Sequence, residues 1–290
     1  WFADQASQKG ALVVCGTVVT DLIRDASGSV QGVRTDRDQG DLEADVVILA
    51  DGINSPLAVQ SGFRPEPAPK HVALAVKEVM ELSEETVNQR FNVCPEDGVT
   101  TEILGSITQG MNGVGALYTN RKTLSLVVGG NLQDLAKLKL RPYELMEAFK
   151  GHPMIAPLIR DGEPREYMAH WLPEGGYNHV PHLSGDGVLI AGDSGMLFNA
   201  LHRQGSNIAM VSGKLAAETI LQAREAGDFS ASTLSGYTER LKESFVLKDL
   251  KKYSRFPGFL QKHKELFTLL PGLISMAARD MLPVDGVDKK

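Results

Sequence analysis

The chain has 290 residues, a formal net charge of -6, 42% hydrophobic and 23% charged residues. That is enough apolar material for one large core or two smaller ones, and it excludes a disordered chain. No Lys/Arg-rich block marks a nucleic-acid surface, and the two cysteines, Cys15 and Cys94, cannot supply a disulfide framework or the four thiolates of an iron–sulfur cluster.

The opening Trp1-Phe2-Ala3-Asp4-Gln5-Ala6 has neither an initiator Met nor a signal segment, and residues 1–9 read as a helix end stopped by Gly10. This suggests that a further amino-terminal portion precedes it. Short β-branched runs follow at 11–15, 18–24 and 29–35, bounded by Gly16, Gly28 and Gly40, with Cys15 expected to pack inside the first. The run at 44–50 is almost wholly apolar, as suits a strand of a parallel sheet buried on both faces. It ends at Asp51-Gly52, where Asn54 or Ser55 can cap a helix that Pro56 opens.

The stiff Pro-Glu-Pro-Ala-Pro stretch at 65–69 marks a domain boundary. Strand-like pieces at 71–79, 100–108, 113–119 and 123–128, punctuated by glycines, predict an antiparallel second domain. Helices are expected near 142–150 and 153–160, and a strand near 164–171. A turn at Gly185-Asp186-Gly187 leads into a buried strand at 188–191, and a long helix runs from about 205 to 226. The remainder, from Phe229, reads as helical and basic-amphipathic.

The strongest chemical signal is Gly187-Val188-Leu189-Ile190-Ala191-Gly192-Asp193. A buried parallel strand ends at a glycine that allows close ligand approach, and a carboxylate follows at the edge where open α/β sheets bind ligands. Such a carboxylate can accept hydrogen bonds from ribityl hydroxyls. Gly205-Ser206-Asn207 then opens a helix whose exposed N–H groups favour an electron-rich group, and Ser206, Ala209, Ser212, Gly213, Ala216 and Ala217 keep that helix slim. Any strand–Gly–Asp–helix junction shares these features, so a plain turn stands beside the flavin reading. Ala50-Asp51-Gly52 supplies a second such strand end, which suggests a dinucleotide-sized cleft.

These residues resemble a known family. Residues 46–55 are similar to the second FAD motif of FixC-like flavoproteins in the electron-transfer-flavoprotein:quinone oxidoreductase and geranylgeranyl reductase superfamily, and residues 190–195 to their third. The resemblance continues at Asn207-Ile208-Ala209-Met210, Ser212-Gly213, Leu117-Tyr118-Thr119-Asn120 and Gly151-His152-Pro153, so it spans nearly the whole chain. It implies an α/β fold: a truncated glutathione-reductase-type FAD-binding domain interrupted by an antiparallel α+β substrate domain, with a helical carboxy-terminal region. The expected divisions are 1–68 and 184–228 for the FAD domain, 69–183 for the substrate and quinone domain, and 229–290 for the helical region.

The resemblance further implies FAD, held by Val19 at the adenine, by Ala50, Asp51 and Gly52, by Gly192 and Asp193 at the ribityl–pyrophosphate region, and by Gly205, Ser206 and Asn207 at the flavin pyrimidine edge. Electrons would pass from an electron-transfer flavoprotein to a quinone, with a small ferredoxin-like subunit as partner, and no side chain need act as catalytic acid or base. The Gly-x-Gly-x-x-Gly phosphate loop of the family is not in this sequence. An isoprenoid reductase and a non-catalytic assembly subunit are the rival readings.

His179 and His182 are spaced for metal but lack supporting ligands, while His202 and Arg203 either line the active site or form a solvated loop pair. The apolar stretch 256–274, too short to span a bilayer, stands near Lys248, Lys251, Lys252, Lys262 and Lys264. It reads either as a membrane-surface patch or as helices packed on the core or a partner. The expected location is cytoplasmic, at most peripheral to the inner face of the cell membrane.

Overall fold

A computed structural model describes residues 1–282. The chain divides into two units: Trp1–Glu66 with Val180–Leu197 and Gly205–Asp249, and Pro67–His179 with Phe198–Gln204 and the chain from Leu250 onward.

The first unit begins with α1 (Phe2–Gln8), none of whose residues is buried. Strands β1 (Val19–Arg24), β2 (Val30–Thr35) and β3 (Leu42–Glu43) form an antiparallel meander. Strand β4 (Val47–Leu49) and helix α2 (Pro56–Gln60) complete its first segment. The second unit is built on β5 (Val72–Glu81), α3 (Glu84–Phe91), β6 (Thr100–Ile103), β7 (Gly113–Thr119), β8 (Thr123–Asn131), α4 (Leu132–Leu138), α5 (Pro142–Lys150), α6 (Ala156–Ile159) and β9 (Glu163–Pro173).

The chain then supplies β10 (Ser184–Gly185), β11 (Val188–Ile190), α7 (Ser206–Ala226), α8 (Ala231–Leu234) and α9 (Gly236–Glu243) to the first unit. Helix α10 (Phe245–Lys252) leads out of it, and α11 (Phe256–Lys262) and α12 (Leu269–Met281) belong to the second.

In the first unit, β11 pairs antiparallel with β10 and parallel with β4, in the register Val188↔Val47, Leu189↔Ile48 and Ile190↔Leu49. The hairpin between β10 and β11 requires a glycine: Gly187 has φ +69°, and a Cβ there would lie 2.0 Å from the Val30 carbonyl. Strand β11 is buried on both faces, as its apolar run suggests.

Strand β4 differs from expectation. Only Val47 and Leu49 are buried, while Ile48, pointing to the opposite face, is 38% exposed. The apolar run 11–15 is not a strand either. Among the described residues none pairs with it in a hydrogen-bond ladder, and Leu12 and Cys15 are exposed rather than packed.

Helix α7 buries Ile208, Ser212, Ala216, Thr219 and Ala223, a single stripe at steps of four and three residues. Against the same core, Tyr237 of α9 is fully buried and donates its hydroxyl to the Ile190 carbonyl at 3.1 Å.

The second unit is a five-stranded antiparallel sheet in the order β6-β7-β8-β5-β9. Val76, Met80, Leu117, Leu126 and Val128 from the sheet meet Val87 of α3 and Leu145, Met146 and Phe149 of α5 in one apolar cluster. The strand expected over 100–108 stops at Ile103, because Gly105 (φ +115°) turns the chain into a short 3-10 turn. The helix expected over 153–160 is confined to α6.

Helices α3 and α4 were not expected from sequence. Their signals were the caps Ser83, accepting from Thr86 N–H, and Asn131, accepting from Gln133 N–H. Helices α11 and α12 bury no residue. The end of the expected helical region, beyond 282, lies outside the described residues. No described helix is long and apolar enough to cross a membrane.

Candidate cofactor site

The parallel ladder continues one step past the strands, where the Ala191 N–H donates to the Leu49 carbonyl at 3.0 Å. Beyond it the two strand ends are joined through Asp51. Its Oδ1 accepts from Ser55 Oγ at 2.6 Å and from Ser194 Oγ at 3.0 Å, and Ser194 Oγ also lies 3.1 Å from the Gly52 carbonyl. Ser194 and Ser55 are fully buried. Ser55 holds the N-cap position of α2, but its hydroxyl turns back to Asp51 instead of capping. The expected side-chain cap is therefore absent: Ser55 has φ +29°, not the extended backbone that aims an N-cap oxygen at the first-turn N–H groups.

The second turn is pinned to α7. Gly192 has φ +59°, its N–H donates to Ser212 Oγ at 3.0 Å, and that hydroxyl donates to the Ala209 carbonyl at 2.8 Å. A Cβ on Gly192 would stand 3.3 Å from the Ala209 Cβ, so the glycine lets the turn lie directly on the helix. Asp193 is half-buried on this turn. Helix α7 begins at Gly205 without a side-chain cap. The first-turn N–H groups of Ser206 and Asn207 thus have no intrahelical acceptor, and partial positive charge gathers there.

Ala50, Asp51, Gly52, Gly192 and Asp193 therefore lie at adjacent ends of one parallel strand pair. Gly205, Ser206 and Asn207 start the helix on which the second turn rests. Val19 belongs to the other sheet, where it pairs with Thr35.

Sequence reading passed over Arg64, whose place in a loop gives no signal. Its side chain is only 4% exposed, Nη2 donates to the Ile53 carbonyl, and Nε and Nη1 are buried without a partner. Burial lowers its pKa, and the charge of Asp51 opposes that. A buried cation beside the turn at Gly52, which has φ +79° and open space where a side chain would stand, suits an anionic ligand.

In the second unit, Arg203 forms an ion pair with Glu102, and His202 meets the Tyr253 ring edge-on at 5.0 Å. The His179 ring stacks on His71 at 3.7 Å and shares its Nδ1 with the Gly175 carbonyl at 2.8 Å. Burial, with the nearby His179 and Lys70, lowers His71 to about 4. Among the described residues no group of three His, Cys, Asp or Glu is placed to hold a metal. Glu174 follows β9, and its carboxyl accepts from Asn131 Nδ2 at 3.3 Å. Burial pushes it up to about 7, Asp134 adding to the rise while Asn131 and Arg203 oppose it.

A family model described as FAD dependent oxidoreductase matches residues 1–219, and one described as ETF-QO/FixC family C-terminal domain matches 256–290. The chain is 46% identical to Protein FixC of Azorhizobium caulinodans and 48% identical to Protein FixC of Azotobacter vinelandii, covering all of this chain and 67% of each relative. It is 39% identical to the "Probable electron transfer flavoprotein-quinone oxidoreductase YdiS" of Escherichia coli K12, over 99% of this chain and 66% of that protein.

Among solved structures, a geranylgeranyl bacteriochlorophyll reductase-like protein from Thermoplasma acidophilum aligns with a TM-score of 0.68 at 20% identity, covering 97% of this chain and 70% of that one. The flavin-dependent brominase Bmp2 aligns at 0.65 and 18% identity, covering 95% and 66%. These two establish an α/β flavoprotein fold and nothing about substrate.

Proposed function

The chain belongs to the ETF-QO/FixC family of FAD-dependent oxidoreductases, and from that premise we propose that it passes electrons from an electron-transfer flavoprotein to a quinone. The observation that carries this reading is the Asp51–Ser194 link, which brings the two glycine turns to one edge of a parallel strand pair.

The residues present fit FAD. Asp193 would accept from the ribityl hydroxyls, with the Gly192 backbone beside it. Ala50, Asp51 and Gly52 would form the facing wall, and the buried, unpaired nitrogens of Arg64 suit an anionic dinucleotide. Gly205, Ser206 and Asn207 would offer N–H groups to the electron-rich edge of the flavin, and Val19 would meet the adenine. FAD, when bound, supplies the electron transfer itself. The protein positions it, and no side chain in the first unit need act as acid or base.

In this reading, 1–68 and 184–228 are the parts of a glutathione-reductase-type FAD domain, 69–183 is the substrate and quinone domain, and 229–290 is a helical carboxy-terminal region. A small ferredoxin-like subunit is the further partner. Exposed Phe259, Leu269, Leu270, Leu273 and Ile274 on α11 and α12, with Lys262 beside them, would rest on the inner surface of the cell membrane where quinone is dissolved. An isoprenoid reductase shares the fold, but identity of 46–48% to FixC proteins favours the quinone reading.

The test is the visible spectrum of the whole gene-encoded protein. Flavin bands bleached by a reduced electron-transfer flavoprotein and restored by quinone are expected. A colourless protein that FAD does not reconstitute would leave a non-catalytic assembly role.

A further inference from the structure

Helix α12 has two unlike faces. Leu269, Leu270, Leu273, Ile274 and Met276 lie on one, and all are exposed. Thr268 at its N-cap, then Pro271, Gly272 and Ser275, follow at steps of three, one and three residues, which places them on the other. This second face lines a cavity of about 600 Å³ that lies wholly within the second unit. The facing walls are the 3-10 turn after β6 and the chain that follows α5. Ile103, Leu104, Ile107, Met154 and Phe267 make most of the lining apolar. Two glycines let the turn approach the helix. A Cβ on Gly105 (φ +115°) would stand 3.2 Å from Pro271, and one on Gly110 (φ +85°) would stand 3.5 Å from Thr268.

The polar groups of the cavity are few. His152 Nδ1 accepts the Met154 N–H at 3.3 Å, so the proton of the uncharged ring belongs to Nε2, which lies 3.5 Å from Ser106 Oγ. An imidazole N–H and a hydroxyl thus stand together at one side of an apolar space. None of the described residues lining it is Asp, Glu, Lys or Arg. A charged ligand would be enclosed there without a counter-ion, whereas a neutral molecule with an apolar chain and a carbonyl oxygen meets a partner for each part. The residues that would hold FAD all belong to the first unit, and none lines this cavity. Its occupant is therefore not the molecule that the flavin reduces. The segment 245–282 also carries seven Lys or Arg against three Asp or Glu, in a chain whose formal net charge is -6. Positive charge gathered beside an exposed apolar face favours an anionic bilayer, and a bilayer supplies ester-linked acyl chains at that depth.

We propose that the cavity behind α12 binds one acyl chain of a bilayer lipid, its ester carbonyl accepting from His152 Nε2–H. This rests on the membrane-surface reading above. The helix would then meet lipid on both faces: its exposed leucines rest among the bilayer chains, and its small residues close over one chain drawn behind it.

Equilibrium dialysis of labelled monolauroylglycerol, a neutral ester, against the whole gene-encoded protein tests the site without a bilayer. Wild type should bind a single equivalent. Gly272→Leu should weaken binding at least about tenfold: Gly272 is helical and an added Cβ meets nothing within 4 Å, so the new side chain fills the cavity without disturbing the fold. His152→Leu should lower affinity for the ester about tenfold and leave affinity for dodecylglycerol, an ether with no carbonyl, within about twofold. Leu273→Glu, on the opposite face, should bind the ester as wild type does. Equal affinity in wild type and G272L, tighter binding of laurate than of the ester, or displacement of the ester by a short-chain quinone would overturn the assignment. Vesicle co-sedimentation separates this site from the reading on which it rests. A wild type that binds vesicles but no ester overturns the cavity site and leaves the membrane reading standing. A wild type that binds the ester but no vesicles overturns the bilayer as its source, and the proposal with it.

Discussion

Replacing Ser194 by alanine tests the link that joins the two strand ends. The hydroxyl is fully buried, and its single proton is directed at Asp51 Oδ1 and at the Gly52 carbonyl. A hydrogen bond to a charged acceptor contributes about 1.5–3 kcal/mol. Asp51 is itself exposed, so water recovers part of that energy on its side. The Gly52 carbonyl next to it regains less. We therefore expect S194A to cost about 1–2 kcal/mol, a shift of roughly half a molar in the urea midpoint for a denaturant slope near 3 kcal/mol/M.

Asp51→Ala should cost a similar amount, because it also releases Ser55. The double variant should fall short of the sum by about 1 kcal/mol, the signature of a direct contact. Urea unfolding followed by Trp fluorescence measures all four corners of this cycle. A coupling below about 0.3 kcal/mol would mean that Asp51 and Ser194 stabilise their turns independently, and the argument that they form one site would fail.

Gly213→Ala should stabilise the protein by about 1 kcal/mol, since nothing stands within 4 Å of the added Cβ and the helix gains propensity; a lower thermal midpoint would refute it. His71, held at about 4 against its ordinary 6.5, is neutral when folded, so its stabilisation is present above 6.5 and lost as pH falls toward 4. Glu174, held at about 7 against its ordinary 4.5, gives a slope of opposite sign, so His71→Phe should make stability fall with rising pH between 4.5 and 6.5, as thermal scans would show. Leu273→Glu on α12, where Leu273 is 50% exposed, should weaken binding to anionic vesicles about tenfold in co-sedimentation without altering the circular dichroism; unchanged binding would remove the membrane-surface role.

What was legible in the sequence was local. The apolar run 188–190 announced a strand buried on both faces, and the small residues of α7 announced a helix lying close to its neighbour. The two glycine turns were visible because positive φ and close packing leave few alternatives to glycine. The link between them was not legible, because Asp51 and Ser194 are far apart in the chain and neither residue type is diagnostic alone. Arg64 escaped for a related reason: it is unusual only through burial and its two unpartnered nitrogens, which sequence does not display. The run 11–15 misled in the opposite sense. Its β propensity is real, but a strand exists only where another strand accepts its hydrogen bonds.

The parallel pairing of β4 with β11 also sets a schedule for biogenesis. Leu49 meets Ile190 roughly 140 residues later in the chain, and most of the second unit is encoded between them. At about 5–20 residues per second, a ribosome leaves β4 unpaired for about 7–28 s. The antiparallel sheet from β5 to β9, whose contacts are nearer in sequence, can form during that delay, and its folding shortens the loop that β11 must close. The turn at Asp51 is thus among the first parts of the site to be synthesised and among the last to acquire its partner. Substitutions that slow folding of the inserted sheet should therefore appear first as aggregation of nascent chains, before any effect on the finished protein.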